Sequence, residues 1–247
     1  LKHLNAFLKQ IPWWYKMVVF IIIGYVTVGL RFATITAILL AFIGATGMWM
    51  HSMITLSSVL VSVLICFVIG VPLGVLASYN KWYRDIQNVV LDAMQTLPYF
   101  CYLIPVLMFF GGNIVSAVIA TVIYSVPPII RLTALGLSQV SGGYSEVSKS
   151  FGGTGIQTLN KVKFPLAVPS LVMGFNQTVI MAFAMQIVTP LIGGKGLGLQ
   201  VFNALQRSDT GRGLSAGLAI VLLAIIIDRI THAWTKKQRQ ALGLDQS

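Results

Sequence analysis

The sequence predicts an all-α polytopic membrane protein, and three observations support that prediction. Of its 247 residues, 56% are hydrophobic and only 9% are charged, whereas ordinary soluble domains carry about 25% charged residues. Apolar runs long enough to cross a hydrocarbon core of about 30 Å recur along the chain. These runs are continuous rather than alternating, which excludes a transmembrane β-barrel built from alternating segments of about 10 residues.

Charge and cysteine content exclude several functional classes. The net formal charge is +11, from 17 Lys and Arg against 6 Asp and Glu. Because no basic cluster is interleaved with aromatic residues, the positive-inside rule and lipid headgroups account for this excess, and we expect no nucleic acid partner. Cys66 and Cys101 both lie in apolar runs. Without a CxxC or Cys/His cluster they predict neither a disulfide nor a metal site.

The N-terminal 50 residues are predicted to hold an interfacial segment and two accessory spans. Residues 1–16 carry apolar side chains at helical spacing, and the run Trp13-Trp14-Tyr15 marks a membrane–water boundary. Two spans follow within residues 17–50, the first over Met17–Leu30 and the second over Ala33–Trp49.

Three more spans precede the middle of the chain. The third covers His51–Ser78 and contains Gly70-Val71-Pro72-Leu73-Gly74, whose glycines permit close helix approach. A polar loop is predicted at Asn80–Asp85. The fourth span, Asp92–Gly112, is interrupted by Pro98 and Pro105, and the fifth covers Ile114–Ile130. The double proline Pro127-Pro128 and Arg131 are expected to end that fifth span.

Two spans follow the middle of the chain. The sixth is predicted at Leu166–Gly193, and a glycine-rich polar connection leads from Gly194 to Gly213. Its first part, Gly194–Gly198, fits either a contact with a solute-binding protein or a flexible re-entrant turn. The seventh span, Leu214–Ile227, ends at Asp228-Arg229, which we interpret as an end-of-span ion pair, and residues 235–247 form a cationic tail.

The longest polar interruption in the middle of the chain, Ser145–Pro165, is predicted to be a helical hairpin. Its first helix, Tyr144–Phe151, has Glu146 in the first turn, where a carboxylate complements the helix dipole. Gly152 and Gly153 can supply a left-handed cap.

The second arm of the hairpin has its own start and stop signals. Thr154 and Gln157 match a capping box, and Pro165 is expected to close the helix. A rigid helical hairpin is more ordered than a simple connection between two spans requires, which favours a docking surface for a partner. The alternative is a well-capped surface hairpin that binds no partner.

The loops also indicate an orientation. If the hairpin faces the cytoplasm, seven spans place the N-terminus outside and the C-terminus in the cytoplasm. Eleven of the 17 cations then lie inside, which agrees with the positive-inside rule. They are Arg31, Lys81, Arg84, Arg131, Lys149, Lys161, Lys163, Arg229, Lys236, Lys237 and Arg239, while Lys2, Lys9, Lys16, Lys195, Arg207 and Arg212 lie outside.

The hairpin carries a motif with fixed spacing. It reads Glu146-Val147-Ser148, three residues, Gly152, nine residues, then Val162-Lys163-Phe164-Pro165. This resembles the cytoplasmic EAA loop of binding-protein-dependent ABC importer permeases, which reads Glu-Ala-Ala, three residues, Gly, nine residues, Ile-x-Leu-Pro. Val147, Ser148 and Phe164 depart from that motif.

Four runs elsewhere resemble permeases of the glycine betaine/proline betaine/choline subfamily: MQTLPYFCYLIPVLMFFG, VIYSVPPIIRLTALGL, GFNQTVIMAFAMQIV and IGGKGLGLQVFNALQ.

The resemblance implies the transmembrane domain of a type I ABC importer in a bacterial inner membrane, with about seven spans and a cytoplasmic coupling hairpin. The permease core would be 51–234, and its coupling loop 141–165. Such a permease works as a homodimer, with two cytoplasmic ABC ATPases and an extracytoplasmic solute-binding protein. This chain would hold no cofactor, since the ATPase binds ATP and Mg. The implied coupling residues are Ser145, Glu146, Val147, Ser148, Lys149, Phe151, Gly152, Thr154 and Pro165.

The solute implied by the resemblance is a small quaternary or methylated amine such as glycine betaine, proline betaine or choline. Polar side chains at membrane depth usually face a cavity or the bundle interior, and aromatic faces attract quaternary ammonium groups. Interhelical hydrogen bonds and ordinary packing are the alternatives. The candidates for the translocation path are Asn176, Gln177, Gln186, Tyr99 and Tyr102, with Phe100 and Tyr124 in the same aromatic pattern.

Other functional classes fit less well. No GxxxxGK[ST] loop or Ser/His/Asp set is present, so neither an ATPase nor another enzyme is expected. A lipid-modifying enzyme would need a nucleophile with its base at membrane depth. A stand-alone secondary transporter would need paired intramembrane charges or an inverted repeat, and the sequence indicates neither. An ABC permease for another small solute stays open.

Overall fold

The computed structural model describes residues 12–140 and 142–241, and all regular elements in these ranges are helical. Twelve α-helices are numbered in chain order. They are α1 Trp13–Thr27, α2 Leu30–Ala45, α3 Trp49–Tyr79, α4 Lys81–Thr96, α5 Phe100–Phe110, α6 Ile114–Ser125, α7 Pro127–Gln139, α8 Gly142–Ser150, α9 Gly155–Thr158, α10 Phe164–Met185, α11 Leu197–Arg207 and α12 Thr210–Ala241. A π-helix, Leu159–Lys163, joins α9 to α10, and a 3₁₀-helix, Thr189–Ile192, follows α10.

Within the described ranges, four helices are long and apolar enough to cross a membrane. They are Trp49–Tyr79, Ile114–Gln139, Gly155–Met185 and Thr210–Ala233. The pair α4 and α5 passes the same test together, but is bent by 98° at the predicted break beside Pro98. The break at Pro98 is therefore confirmed, whereas Pro105 lies inside α5 without interrupting it.

The first two predicted spans correspond to the shorter apolar helices α1 and α2. They have 15 and 16 residues, which gives each a length of about 22–24 Å at 1.5 Å per residue. The two helices pack against each other and against α12. Seven full spans therefore remain a prediction, because α1 and α2 are shorter than a hydrocarbon core of about 30 Å.

The bundle is centred on α3, α7, α10 and α12, with α7 packed closely between α3 and α10. Glycines allow these contacts, as predicted from the GVPLG run. A Cβ on Gly74 would lie 2.6 Å from the Cβ of Thr133, and one on Gly136 would lie 2.6 Å from the Cβ of Ser170. Only a residue without a side chain permits helices to approach so closely.

Three prolines at two positions that were predicted to end helices do not end them. The apolar helix Ile114–Gln139 passes Pro127-Pro128 with helical backbone at Val126, so Arg131 lies inside a span. Pro165 likewise lies in the first turn of α10, within the 31-residue helix Gly155–Met185. Proline is tolerated there because its missing N–H falls where a new turn begins, directly after the wider π-helical turn.

Three polar segments also differ from prediction. Most of the loop expected at Asn80–Asp85 is helical, because the Asn80 side chain caps α4 by accepting a hydrogen bond from the N–H of Tyr83 at 3.2 Å. The connection Gly194–Gly213 contains the helix α11, and α12 begins at Thr210 rather than at Leu214. Glu146 lies beyond the first turn of α8, since that helix starts at Gly142.

Some predictions lie partly outside the described residues. The interfacial segment 1–16 is described only from Pro12, and the coupling loop 141–165 only from Gly142. The predicted tail, 235–247, begins inside α12, whose backbone is helical to Ala241.

Candidate functional site

The hairpin between α7 and α10 begins with α8, Gly142–Ser150, which includes Ser145 and Lys149. The turn after α8 is left-handed at Gly152, where φ is +76°. The N–H of Gly153 donates to the carbonyl of Ser148 at 2.9 Å, a bond of the kind that closes a helix before a left-handed glycine. The glycine cap predicted here is confirmed.

The second arm starts at the predicted capping box, which is also confirmed. The N–H of Gln157 donates to the Thr154 hydroxyl at 3.3 Å, and the N–H of Thr154 donates to the Gln157 side chain at 2.9 Å. The two arms are joined where the hydroxyls of Ser148 and Thr158 lie 2.8 Å apart. These bonds hold the hairpin in one conformation.

The hairpin exposes large apolar side chains between its polar ones. Phe151 is 87% exposed and Ile156 is 74% exposed, and Tyr144 and Val147 are each more than half exposed. Glu146 is exposed beside them. Exposed apolar side chains beside polar ones on a segment between two spans are a candidate protein interaction site, and we call these four apolar residues the docking patch.

The base of the hairpin is tied to the membrane helices. Lys163 Nζ lies 5.4 Å from the ring centroid of Tyr79, the last residue of α3. Leu159 and Phe164 pack on the buried cluster of Leu137, Ala167 and Leu171. Because the second arm continues through Pro165 into α10 without a break, the docking patch is attached to a long membrane helix.

The polar candidates for the translocation path bond mainly to neighbouring helices. Asn176 is buried on α10, and its side-chain amide donates to Asp228 Oδ1 on α12 at 2.8 Å. The Thr231 hydroxyl donates to the Asn176 side-chain oxygen. Asp228 therefore bonds to Asn176, and its Oδ1 lies 3.6 Å from His232 Nε2. These two contacts stand in place of the ion pair between Asp228 and Arg229 that the sequence predicted.

The other candidates for the translocation path differ in how far their side chains are exposed. Gln186 is buried and donates to the Thr121 hydroxyl at 3.3 Å, whereas Gln177 is exposed on α10. The buried Tyr102 donates its hydroxyl to the carbonyl of Met94, and Tyr99 is 43% exposed. The structure brings both tyrosines together with Tyr124, at ring-centroid distances of 6.0 and 6.4 Å.

Sequence reasoning missed an ion pair between α4 and α7. Arg131 Nη2 donates to Asp92 Oδ1 at 2.6 Å, which joins α7 to α4. The pair lines an open cavity with Arg84, Asn88, Ala134, Leu135 and Ser138. The pair joins a candidate span to the bent pair α4 and α5, a contact that the sequence did not indicate. The sequence places each residue at the end of a predicted span, and their separation of 39 positions hid the pairing.

The opposite end of the bundle is ordered by the Gly194–Gly198 segment. The N–H of Leu197 donates to the hydroxyl of Thr55 on α3 at 2.8 Å. Gln200 is buried on α11 and lies 3.3 Å from His51 Nδ1, and its side-chain oxygen accepts from Arg212. Within the segment itself, Leu197 and Gly196 contact α3 and Gly194 lies against Thr189. A contact with a solute-binding protein and a re-entrant turn both stay predictions.

Comparison with known proteins gives three kinds of match: a family, related sequences and a solved structure. The family described as binding-protein-dependent transport system inner membrane component matches residues 70–240. The glycine betaine/proline betaine transport system permease protein ProW of Escherichia coli strain K12 is 42% identical over 223 residues, which cover 90% of this chain. The chain spans 63% of the length of that relative.

A second relative and a solved structure agree with that match. The glycine betaine/carnitine transport permease protein GbuB of Listeria monocytogenes serotype 1/2a is 45% identical over 191 residues, covering 77% of this chain and 68% of the relative. An inward-facing conformation of the MetNI methionine ABC transporter has the same fold, with a TM-score of 0.68 at 23% identity. That match covers 75% of this chain and 93% of the other.

Proposed function

The chain belongs to the family of binding-protein-dependent transport system inner membrane components, and we propose that it is the permease of an ATP-driven importer for small quaternary or methylated amines. Glycine betaine, proline betaine and choline represent this class of solute. The names of ProW and GbuB, which include glycine betaine, support the assignment.

The observation that carries the proposal is the docking patch on the capped hairpin. Phe151 and Ile156 expose most of their surface on a segment that is too polar to enter lipid. An exposed aromatic side chain on a rigid support is the kind of anchor that fills a pocket on a partner. The partner we propose is a cytoplasmic ABC ATPase, which binds ATP and Mg, so that this chain needs no cofactor of its own.

The mechanism follows from the attachment of the patch. Two copies of the permease would each bind one ATPase through the hairpin. When the ATPases close on ATP, the hairpins move toward each other. The helices joined to them then rearrange, so that the solute path closes on one side of the membrane and opens on the other. An extracytoplasmic binding protein would deliver the solute at the opposite end, which is formed by α11 and the start of α3.

We place the hairpin in the cytoplasm and the N-terminus outside the inner membrane. The cation bias of the loops supports this orientation. The contact of Lys163 with Tyr79 supports a common end for the hairpin and the C-terminus of α3. The hydrogen bond between Leu197 and Thr55 lies near the start of α3, which would be the outer end in this orientation.

Reconstitution tests the proposal. The permease, its ATPase and its binding protein are combined in liposomes, and ATP-dependent uptake of labelled glycine betaine, proline betaine and choline is measured. We expect uptake of at least one of these solutes only with ATP and all components present. Uptake that persists without the ATPase would refute ATP coupling, and uptake of none of the three would refute the solute class.

A further inference from the structure

We infer that Asp92 and Arg131 form a transit site for a zwitterionic solute, in which the solute opens the ion pair and takes its place. The solute carboxylate would bind Arg131, and its cationic end would lie against Asp92. This inference rests on the proposed function, and it assigns solute contacts to residues that the family match and the docking patch leave without a role.

The position of the pair requires water beside it. Arg131 lies inside the apolar helix Ile114–Gln139, and Asp92 lies in the bent pair α4 and α5. Their side chains are 39% and 64% exposed in the single chain. Charges at such positions face a water-filled cavity rather than lipid, because transfer of a charge to hydrocarbon costs several kcal/mol. The cavity that they line is therefore an aqueous one.

Arg131 has unused capacity to bind an anion. Its Nη2 donates to a single carboxylate oxygen, Asp92 Oδ1. A guanidinium binds a carboxylate best through two parallel N–H donors. The contact with Asp92 engages Nη2 alone on a carboxylate that is more than half exposed, so a second carboxylate can compete for this guanidinium.

A zwitterion can open the pair without leaving a charge unpaired. A lone anion that bound Arg131 would displace Asp92 and leave it without a cation. A lone cation that bound Asp92 would displace Arg131 and leave it without an anion. A molecule that carries both charges restores both contacts, so the exchange is close to neutral in free energy. A site of this kind is weak, and weak binding is what a path for transit requires.

The surrounding elements fit such a solute. The tyrosine cluster of Tyr99, Tyr102 and Tyr124 lies on the same two segments that carry the ion pair, the bent pair α4–α5 and the continuous helix α6–α7. Aromatic faces attract quaternary ammonium groups that cannot donate hydrogen bonds. Sites at bent or interrupted helices are the usual place for solute in membrane transporters.

Ligand-detected NMR on the detergent-solubilised permease–ATPase complex, without binding protein, tests the site directly. The probe is glycine betaine, and saturation transfer to its methyl groups is measured as its concentration is raised into the millimolar range. Choline carries only the cation, and 3,3-dimethylbutyrate is the anionic isostere. We expect glycine betaine to give at least about fivefold more transfer than either, since a buried or half-buried group left unpaired costs about 1 kcal/mol or more.

Variants then connect binding to the pair. Arg131→Gln and Asp92→Asn are expected to lower the glycine betaine signal, and Arg207→Gln on α11 is the matched control that leaves it unchanged. If a single variant fails to assemble, the double variant D92N/R131Q removes both charges and leaves neither partner unpaired, and it too is expected to lose the signal. Basal ATP hydrolysis reports the integrity of each complex.

The outcomes separate this inference from the proposed function. A signal retained in D92N/R131Q, no signal in the wild type, or an equal signal from choline or 3,3-dimethylbutyrate would refute the zwitterion site, even where uptake by the complete system is normal. Failure of uptake in the complete system would instead refute the proposed function, and the binding measurement does not depend on that result.

Discussion

The hydroxyl oxygens of Ser148 and Thr158 lie 2.8 Å apart and join the two arms of the hairpin that carries the docking patch. The Thr158 hydroxyl also lies 3.0 Å from the carbonyl oxygen of Thr154, so it can bond to both. The contact is close because Gly153 has no side chain between the arms. The shape of the hairpin therefore depends on a glycine as much as on its hydrogen bonds.

Gly153→Ala is expected to distort the hairpin. A Cβ at this position would lie 2.6 Å from Ser148 Oγ and 2.7 Å from the Ser148 carbonyl oxygen, so the arms must separate. Forcing such a shift costs about 1–3 kcal/mol, and we expect ATP-dependent uptake to fall about tenfold or more. Gly155→Ala is the matched control, because no atom lies within 4 Å of its Cβ position. Equal uptake by both variants would contradict this account.

Phe151→Ala removes the most exposed residue of the docking patch. We expect affinity for the ATPase to fall by about 2 kcal/mol, roughly 30-fold, as for an aromatic anchor at an interface. The measurement is binding of the purified ATPase to the solubilised permease. Phe109→Ala is the control, since Phe109 is 84% exposed but lies on α5. A similar loss in both variants would show that the effect is not specific to the hairpin.

Glu146→Lys and Gly152→Asp are expected to abolish uptake while the protein still inserts into the membrane. Glu146 is exposed on α8, where its substitution reverses the charge beside the patch. At Gly152, φ is +76°, a conformation that costs a residue with a side chain about 1–2 kcal/mol. Membrane fractionation followed by an uptake assay checks both, and normal uptake would remove the hairpin from the coupling mechanism.

Gly198→Ala is expected to destabilise the end of the bundle opposite the hairpin. A Cβ there would collide with the carbonyl oxygen of Gln186, and backbone cannot move aside as a flexible side chain can. We expect a loss of several kcal/mol, comparable to severe overpacking, seen as a lower melting temperature of the solubilised protein. Gly217→Ala on α12 has open space around its Cβ position and should stabilise that helix by up to about 1 kcal/mol.

Local signals in the sequence predicted the hairpin. They did not predict which side chains of different helices bond to each other. The capping box of Thr154 and Gln157 and the cap at Gly152 depend on neighbours within a few positions, so short motifs identified them. The bonds from Arg131 to Asp92 and from Asn176 to Asp228 span 39 and 52 positions. They follow from how helices pack, and packing is not encoded in any one segment.

Prolines caused the largest errors in element boundaries. Pro127-Pro128 and Pro165 were predicted as helix ends because proline lacks a donor and restricts the preceding residue. In the structure they stand in the first turns of helices that continue the preceding segment. Long membrane helices tolerate proline when a neighbouring helix or a local change of helical pitch satisfies the freed carbonyls.

The two arms of the hairpin are connected to the membrane in different ways. The first is a separate helix, since α7 ends at Gln139 and α8 begins at Gly142. The second is continuous from Gly155 to Met185 over 31 residues, about 46 Å at 1.5 Å per residue. In the proposed mechanism this arm would act as a lever that carries a displacement at Ile156 into the membrane helices. The docking patch and the opposite face of the membrane would then be linked through one element rather than through a chain of loop contacts.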